Sequence, residues 1–250
     1  MSGKTYLEGH TALVTASSRN LGASIVKALA NAGADVLVTY HKSMDKAEEL
    51  IAGLPAGDHA AVYGDTSHEG GIRAMVDAAV AAAPGPIDLL INNSGPFTME
   101  SFVDLDPSEW DRIWTSNVKA AYLTSRLLVP EMLGWGRVVN VSAGSAYVRN
   151  HSIYTLAKDA LITFTEGLAV EVAPDVNVNC VAPGQIAESA DDMAEFDPTF
   201  VERATRATPL GRLVTRDEVA AIVAELCGPR FDVVTGVTIP IDGGWRLAAF

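Results

Sequence analysis

Cationic side chains are scarce in this chain of 250 residues. Its 18 Lys and Arg stand against 31 Asp and Glu, a formal net charge of −13. Nucleic-acid surfaces need clustered cations, so this balance argues against that class, and against an anionic membrane or an acidic macromolecular partner. Cysteine is nearly absent. Cys180 and Cys227 lie in apolar runs with no CxxC or metal-ligand spacing. They read as buried thiols of a reducing compartment. Long apolar runs are missing too. Nothing approaches the roughly 18 residues that span a bilayer, and MSGKTYLEGH holds no signal-peptide core. The expected location is the cytoplasm, with neither a membrane nor a nucleic acid as partner.

What is present is a rhythm. Short apolar runs occur at TALVT (11–15), DVLVT (35–39), HAAVY (59–63), IDLLI (87–91), RVVNV (137–141), VNVNCV (176–181) and GVTIPI (236–241). Nearly continuous apolar character suits strands covered on both faces. Helical stretches separate them, including a long one over 108–133 and another over 152–172. Asp106-Pro107-Ser108-Glu109 and Thr215-Arg216-Asp217-Glu218 mark two helix starts, the second with capping-box spacing. Strand–helix repetition without a linker predicts a single α/β domain over 1–250, a doubly wound parallel sheet of seven strands. Residues 185–213 break the rhythm after a strand's carboxyl end, where open α/β sheets bind ligands. They are expected to form a lid, with Met193, Phe196 and Phe200 over an apolar pocket.

Glycine is thin where it matters most. The first strand runs into ASSRNLGAS, the place of a dinucleotide phosphate turn, where backbone N–H groups and a helix dipole face pyrophosphate. Of its glycines only Gly22 is present. Ala16 and Asn20 occupy the other positions, and Asn enters left-handed backbone more readily than most residues.

HSIYTLAK (151–158) places Tyr154 and Lys158 four apart, hence on one face of a helix. The spacing alone is common. With it, however, six further stretches occur in order: TASSRNLG (15–22), Asp65 in GDTS, NNSG (92–95), Asn117 in WTSNVKAA, GWGRVVNVS (134–142) and Pro183-Gly184 after VNVNCVA. Together these resemble the short-chain dehydrogenase/reductase family over almost the whole chain, and are most similar to its 3-oxoacyl-carrier-protein reductase-like members.

The resemblance implies a Rossmann fold and a nicotinamide-dependent oxidoreductase that interconverts a ketone and a secondary alcohol. Tyr154 would be its acid/base, Lys158 would hold the nicotinamide ribose, and Asn117 would tie Lys158 to a water chain. A lysine ammonium one turn away is expected to lower the tyrosine pKa from about 10. The cofactor set implied is Ser17, Arg19, Asn20, Leu21, Gly22, His41, Lys42, Asp65, Thr66, Asn92, Ser94, Gly95, Tyr154, Lys158, Pro183, Gly184 and Ile186. NAD-preferring members end the second strand with an aspartate, but here Tyr40, His41 and Lys42 follow it. With Arg19 in the phosphate turn, the expectation is NADP, with NAD possible. Glu188 stands where relatives often have threonine, which leaves Ser189 and backbone groups to hold the carboxamide.

The family's substrate-polarising serine is displaced. Counting forward from the strand it falls on Ala143, counting back from Tyr154 it falls on Val141, and the two bracket Ser142. Of three readings, Ser142 is the one taken, so that the expected catalytic set is Tyr154, Lys158, Asn117 and Ser142; the other two are that Ser145 acts, or that no serine does and another donor such as His151 or Ser152 polarises the substrate. The expected partner is a small carbonyl or alcohol. An acidic carrier protein would meet a chain of charge −13, and LLVPEMLGWGR (127–137) offers it only Arg137. Assembly as a homotetramer or homodimer follows from the same resemblance. A cofactor-binding sensor and a non-redox enzyme of the dehalogenase type remain the alternatives. Lys158 and Pro183-Gly184 weigh against the latter.

Overall fold

The computed structural model describes residues 5–98, 100–132, 134–147, 152–189 and 198–248. His151, Met193 and Phe196 therefore lie outside the described residues. All seven expected strands form. They are β1 (Thr11–Val14), β2 (Asp35–Tyr40), β3 (Ala60–Tyr63), β4 (Ile87–Asn92), β5 (Gly136–Val141), β6 (Val176–Pro183) and β7 (Thr238–Ile241). They make one sheet in the order β3-β2-β1-β4-β5-β6-β7, and every pairing is parallel. The order reverses between β1 and β4, which opens a crevice beyond their carboxyl ends.

Alternation along each strand builds two apolar layers. Ala12, Val14, Val36, Val38, Leu89 and Ile91 pack on one face with α1 (Asn20–Asn31) and α8 (Arg216–Leu226). Leu13, Leu37, Leu90, Val138 and Val178 pack on the other with α3 (Glu69–Ala82), α5 (Ala120–Leu128) and α6 (Ile153–Val172). Helix α2 (Met44–Ala52) follows β2. Both predicted helix starts are present. The Asp106 carboxylate accepts from Ser108 N–H at 2.8 Å, and Thr215 with Glu218 completes a capping box.

The long helix expected over 108–133 is instead interrupted. Helix α4 (Pro107–Trp114) passes into a π-helical turn (Thr115–Lys119) before α5 resumes the α pattern. Such a turn widens the backbone spiral by one residue and is frequent at functional sites. Asn117 sits in it.

Of residues 185–213, the described parts are 185–189 and 198–213. Ile186 bridges Val214 in parallel, and α7 (Phe200–Ala207) lies within the second part. That part is seated on the segment after β7, where Leu210 N–H donates to Gly243 C=O at 3.2 Å. None of the described helices is long and apolar enough to cross a membrane.

Candidate active site

The phosphate turn after β1 takes the backbone that its family glycines would take. Ala16 (φ 51°) and Asn20 (φ 53°) are both left-handed. Asparagine tolerates this, whereas alanine's Cβ crowds the carbonyl, a strain of roughly 1–2 kcal/mol. Gly22 is irreplaceable for another reason. A Cβ there would lie 2.6 Å from the Ala16 carbonyl oxygen and 2.7 Å from Ser17 Cα. The turn is thus pulled tight over the helix start, which leaves room for a phosphate.

The turn borders a cleft of about 720 Å³. Arg19, Asn20, Leu21, Gly22, His41, Lys42, Asp65, Thr66, Ser94 and Gly95 line it, as the sequence predicted. Ser18, Thr39, Tyr40 and Asn93 line it too and were missed. Burial works to raise the Asp65 carboxyl. Hydrogen bonds from Ser67 and the nearby His41 and His68 outweigh it and hold the carboxyl below its usual range.

Two predicted cofactor residues belong elsewhere. Ser17 is fully buried. Its hydroxyl donates to Val14 C=O at 2.7 Å and accepts from Thr39 N–H at 2.8 Å, so it stitches β1 to β2. Asn92 is buried in a polar network. Its amide donates to Asn140 Oδ1 at 2.9 Å, and its oxygen accepts from Thr124 at 2.6 Å. In NNSG it is Asn93 that reaches the cleft, with its amide donating to the Thr15 and Ala16 carbonyls at 3.1 and 3.2 Å. Strand alternation holds the signal: on β4 Ile91 faces one layer and Leu90 the other, and the crevice begins only past Asn92, where β4 ends.

The catalytic candidates gather behind the cleft wall at Gly95. Ser152 caps α6, its hydroxyl accepting from Thr155 N–H at 3.2 Å. One turn on, Tyr154 and Lys158 share a face, with Lys158 Nζ 5.6 Å from the Tyr154 ring centre. Lys158 is clamped at both ends. Its ammonium donates to Val141 C=O at 2.9 Å, and its own carbonyl accepts from the Ser142 hydroxyl at 2.7 Å. Asn117 donates to Ile113 C=O at 2.9 Å and Pro96 C=O at 3.0 Å, which satisfies the π turn and anchors the segment after β4. Its Oδ1 is buried with no hydrogen-bond partner among the described residues. Gly95 is pressed between these groups. A Cβ there would lie 2.1 Å from Asn117 Oδ1 and 2.9 Å from Lys158 Nζ.

Electrostatics correct one expectation. Burial pushes the Tyr154 phenol up to about 12 and brings the Lys158 ammonium down to about 8. The lysine was expected to lower the phenol. Desolvation by burial is the cause of the phenol's rise, and the ammonium is spent on Val141 C=O.

The serine question narrows as well. Ser142 has one proton to give and gives it to Lys158 C=O, so the hydroxyl positions α6 and does not face a substrate. Ser145 Oγ is buried and has no partner among the described residues. Ser152 Oγ accepts in its cap and lies 3.2 Å from Thr155 Oγ1. Downstream, Pro183 and Gly184 end β6, with the Pro183 oxygen and Gly184 Cα each 3.1 Å from where a Cβ on Gly144 would sit. Ile186 lies just beyond at the Val214 bridge. Glu188 and Ser189 are both engaged by Arg216, the carboxylate capping its N–H at 3.1 Å and the hydroxyl accepting from its guanidinium at 3.2 Å. Ser189 keeps its own hydroxyl proton to give, since here it only accepts. The two cysteines are buried, and burial raises their thiols to about 11 (Cys180) and about 12 (Cys227).

The donors fit a dinucleotide. Two left-handed residues open the phosphate turn, glycines stand where a Cβ would close the path, and cleft-lining Gly95 lies against both a buried lysine ammonium and an orphaned amide oxygen.

Comparison with known proteins agrees. Residues 15–246 match a family model described as enoyl-(acyl carrier protein) reductase. The chain is 35% identical to dehydrogenase/reductase SDR family member 4 of Bos taurus, over 98% of this chain and 90% of that protein. A putative short-chain alcohol dehydrogenase from Sinorhizobium meliloti 1021 superposes with a TM-score of 0.89 at 29% identity, covering 98% of this chain and 100% of that one. A gluconate 5-dehydrogenase from Burkholderia cenocepacia, in complex with NADP and tartrate, superposes with a TM-score of 0.88 at 25% identity, covering 98% of each chain.

Proposed function

The chain belongs to the short-chain dehydrogenase/reductase family, and from that premise we propose that it is an NADP(H)-preferring reductase of small ketones with Tyr154 as proton donor. Its coarser activity, nicotinamide-dependent interconversion of alcohols and ketones, is that of the family. The observation that carries the finer reading is the double clamp on Lys158 beside Tyr154, with the ammonium against Gly95 of the cleft that Arg19 and Lys42 also line.

A bound dinucleotide supplies or accepts a hydride at the substrate carbon. The rest falls to the chain. Gly22, Asn20 and the α1 N-terminus cradle the diphosphate. Asp65 and Thr66 meet the adenine end. Arg19 and Lys42 offer cations to a 2′-phosphate, with His41 beside them, and NADP in the Burkholderia neighbour supports that choice. Lys158 holds the ribose through its ammonium, and Asn117 steadies it. Pro183, Gly184 and Ile186 close the nicotinamide end. Tyr154, protonated at neutral pH, donates to the nascent alkoxide, and Ser145 is the hydroxyl free to polarise the carbonyl. Ser142 keeps Lys158 in place. Residues 185–213 act as the lid. The two buried thiols favour a cytoplasmic setting, and membership of the family supports a homodimer or homotetramer.

Titration with NADPH and NADH, followed by the fluorescence of the bound reduced nicotinamide, tests the cofactor. NADPH is expected to bind at least tenfold more tightly, and Arg19→Ala to erase the difference. Equal affinities in the wild type would remove the NADP preference. Tyr154→Phe is expected to keep nucleotide binding and lose about a hundredfold or more in ketone turnover.

A further inference from the structure

We propose that Phe97 is the residue that selects the substrate, forming an apolar wall beside Tyr154 that favours ketones with an aryl or extended alkyl substituent over short oxo-acids. The proposal rests on Tyr154 as the group that exchanges a proton with substrate oxygen.

The Phe97 ring meets the Tyr154 ring edge-on, with centroids 6.2 Å apart and planes at 69°. Tyr154 also packs against the buried cluster of Ile113, Ile153 and Ala157, which Leu105, Trp114 and Val118 cover as well. Phe97 thus stands at the tyrosine's border, and it is 53% exposed. A lone exposed phenylalanine needs no explanation. This one has a fixed backbone. Gly95 is wedged against Asn117 and Lys158, and Pro96 C=O is held by the Asn117 amide. The ring is therefore presented at a set distance from the proton-transfer group, and it leaves apolar surface facing outward. A substrate oxygen at Tyr154 brings the carbonyl's substituents within reach of that surface. Stacking and burial against an aromatic ring there would be worth about tenfold in selection.

Charge on this side points the same way. Arg112 is the cleft-lining cation of α4, and both Glu109 oxygens hold it, at 2.5 and 2.6 Å. Lys158 is turned to Val141. Arg19 and Lys42 lie across the crevice, on the turns after β1 and β2. A substrate carboxylate beside Phe97 meets no uncommitted cation among these.

The test compares the full-length wild type with Phe97→Ala and Phe97→Leu, using acetophenone, 2-octanone and acetoacetate with NADPH. Calorimetric titration of 1-phenylethanol into the NADP-saturated protein runs alongside. In the wild type kcat/KM is expected to favour acetophenone over acetoacetate at least tenfold. Phe97→Ala should cut that ratio about tenfold through KM, with NADPH affinity unchanged. Phe97→Leu should retain 2-octanone and lose acetophenone. An unchanged ratio in Phe97→Ala, or a wild-type preference for acetoacetate, overturns the proposal. Should NADPH bind while no ketone turns over, the reductase reading fails by itself. Calorimetry then decides about Phe97: weaker 1-phenylethanol binding in the alanine variant upholds the wall, and equal binding removes it.

Discussion

The two ends of the sheet use polar residues in opposite ways. At the amino ends of the strands the charged groups are paired, although Arg137 Nε is itself buried without a hydrogen-bond partner among the described residues. His10 Nδ1 meets Asp88 Oδ2 at 2.6 Å, its ring stacks on Trp135 at 4.1 Å, and the Arg137 guanidinium covers the same indole at 4.1 Å while pairing with Asp232. At the carboxyl ends they are left wanting. Ala16 is held left-handed, Asn117 Oδ1 and Ser145 Oγ have no partner among the described residues, and Lys158 is a buried cation facing a carbonyl. One end stabilises the fold. The other carries a strained backbone and a buried cation for which no carboxylate partner stands among the described residues, the conditions under which a site binds and reacts.

Lys158→Met should separate the two ends most sharply. Lysine's pKa is lowered on folding, so the unfolded chain holds its proton where the folded one sheds it. That penalty is full below about pH 8 and fades as pH rises towards 10.5. Removing the charge is expected to abolish detectable turnover and yet raise stability at pH 7 by on the order of 1–3 kcal/mol. Denaturant melts with steady-state rates check both. A less stable, inactive protein would mean that Lys158 supports the fold. In the wild type, ketone reduction should decline above about pH 8 as the ammonium deprotonates, and Lys158→Arg should move that limb upward.

The mirror experiment is Arg137→Met at the closed end. It should lower stability by about 2 kcal/mol through loss of the indole contact and the Asp232 pair, with kcat unchanged. A fall in kcat at unchanged stability would dissolve the contrast. Arg137 is 4% exposed, so it also cannot serve as the docking cation that 127–137 would have offered a carrier protein.

The smallest effect is expected from Ala16→Gly. Relief of the left-handed strain, about 1 kcal/mol, is partly offset by glycine's entropy in the unfolded chain. Stability should hardly move, while NADPH affinity rises a few-fold. Weaker binding in the variant would show that the alanine methyl contributes to the phosphate turn.

Much of this was legible in the chain. All seven strands, both helix caps and the Tyr154–Lys158 face follow from periodicity and local chemistry, which act over a few residues. The assignments that went astray depend on which way a side chain points at the end of a strand. Ser17 and Ser18 are neighbours, as are Asn92 and Asn93, yet in each pair one residue stitches the sheet and the other lines the cleft. A motif names the stretch without saying which of its residues turns inward. The π turn at Asn117 was equally hidden, because one inserted residue leaves the apolar pattern of a long helix nearly intact.

The sequence by itself determined the parallel sheet, the crevice at its switch point and the family chemistry, since these rest on hydrophobic period, strand–helix alternation and residue identity. The tertiary structure alone decided the rest. Ser142 gives its proton to the Lys158 carbonyl, burial rather than lysine sets the Tyr154 phenol, and Phe97 stands at its edge. The physical reason is the same in each case. Hydrogen-bond direction and desolvation depend on what lies within a few ångströms in space, and those neighbours come from strands and helices far apart along the chain.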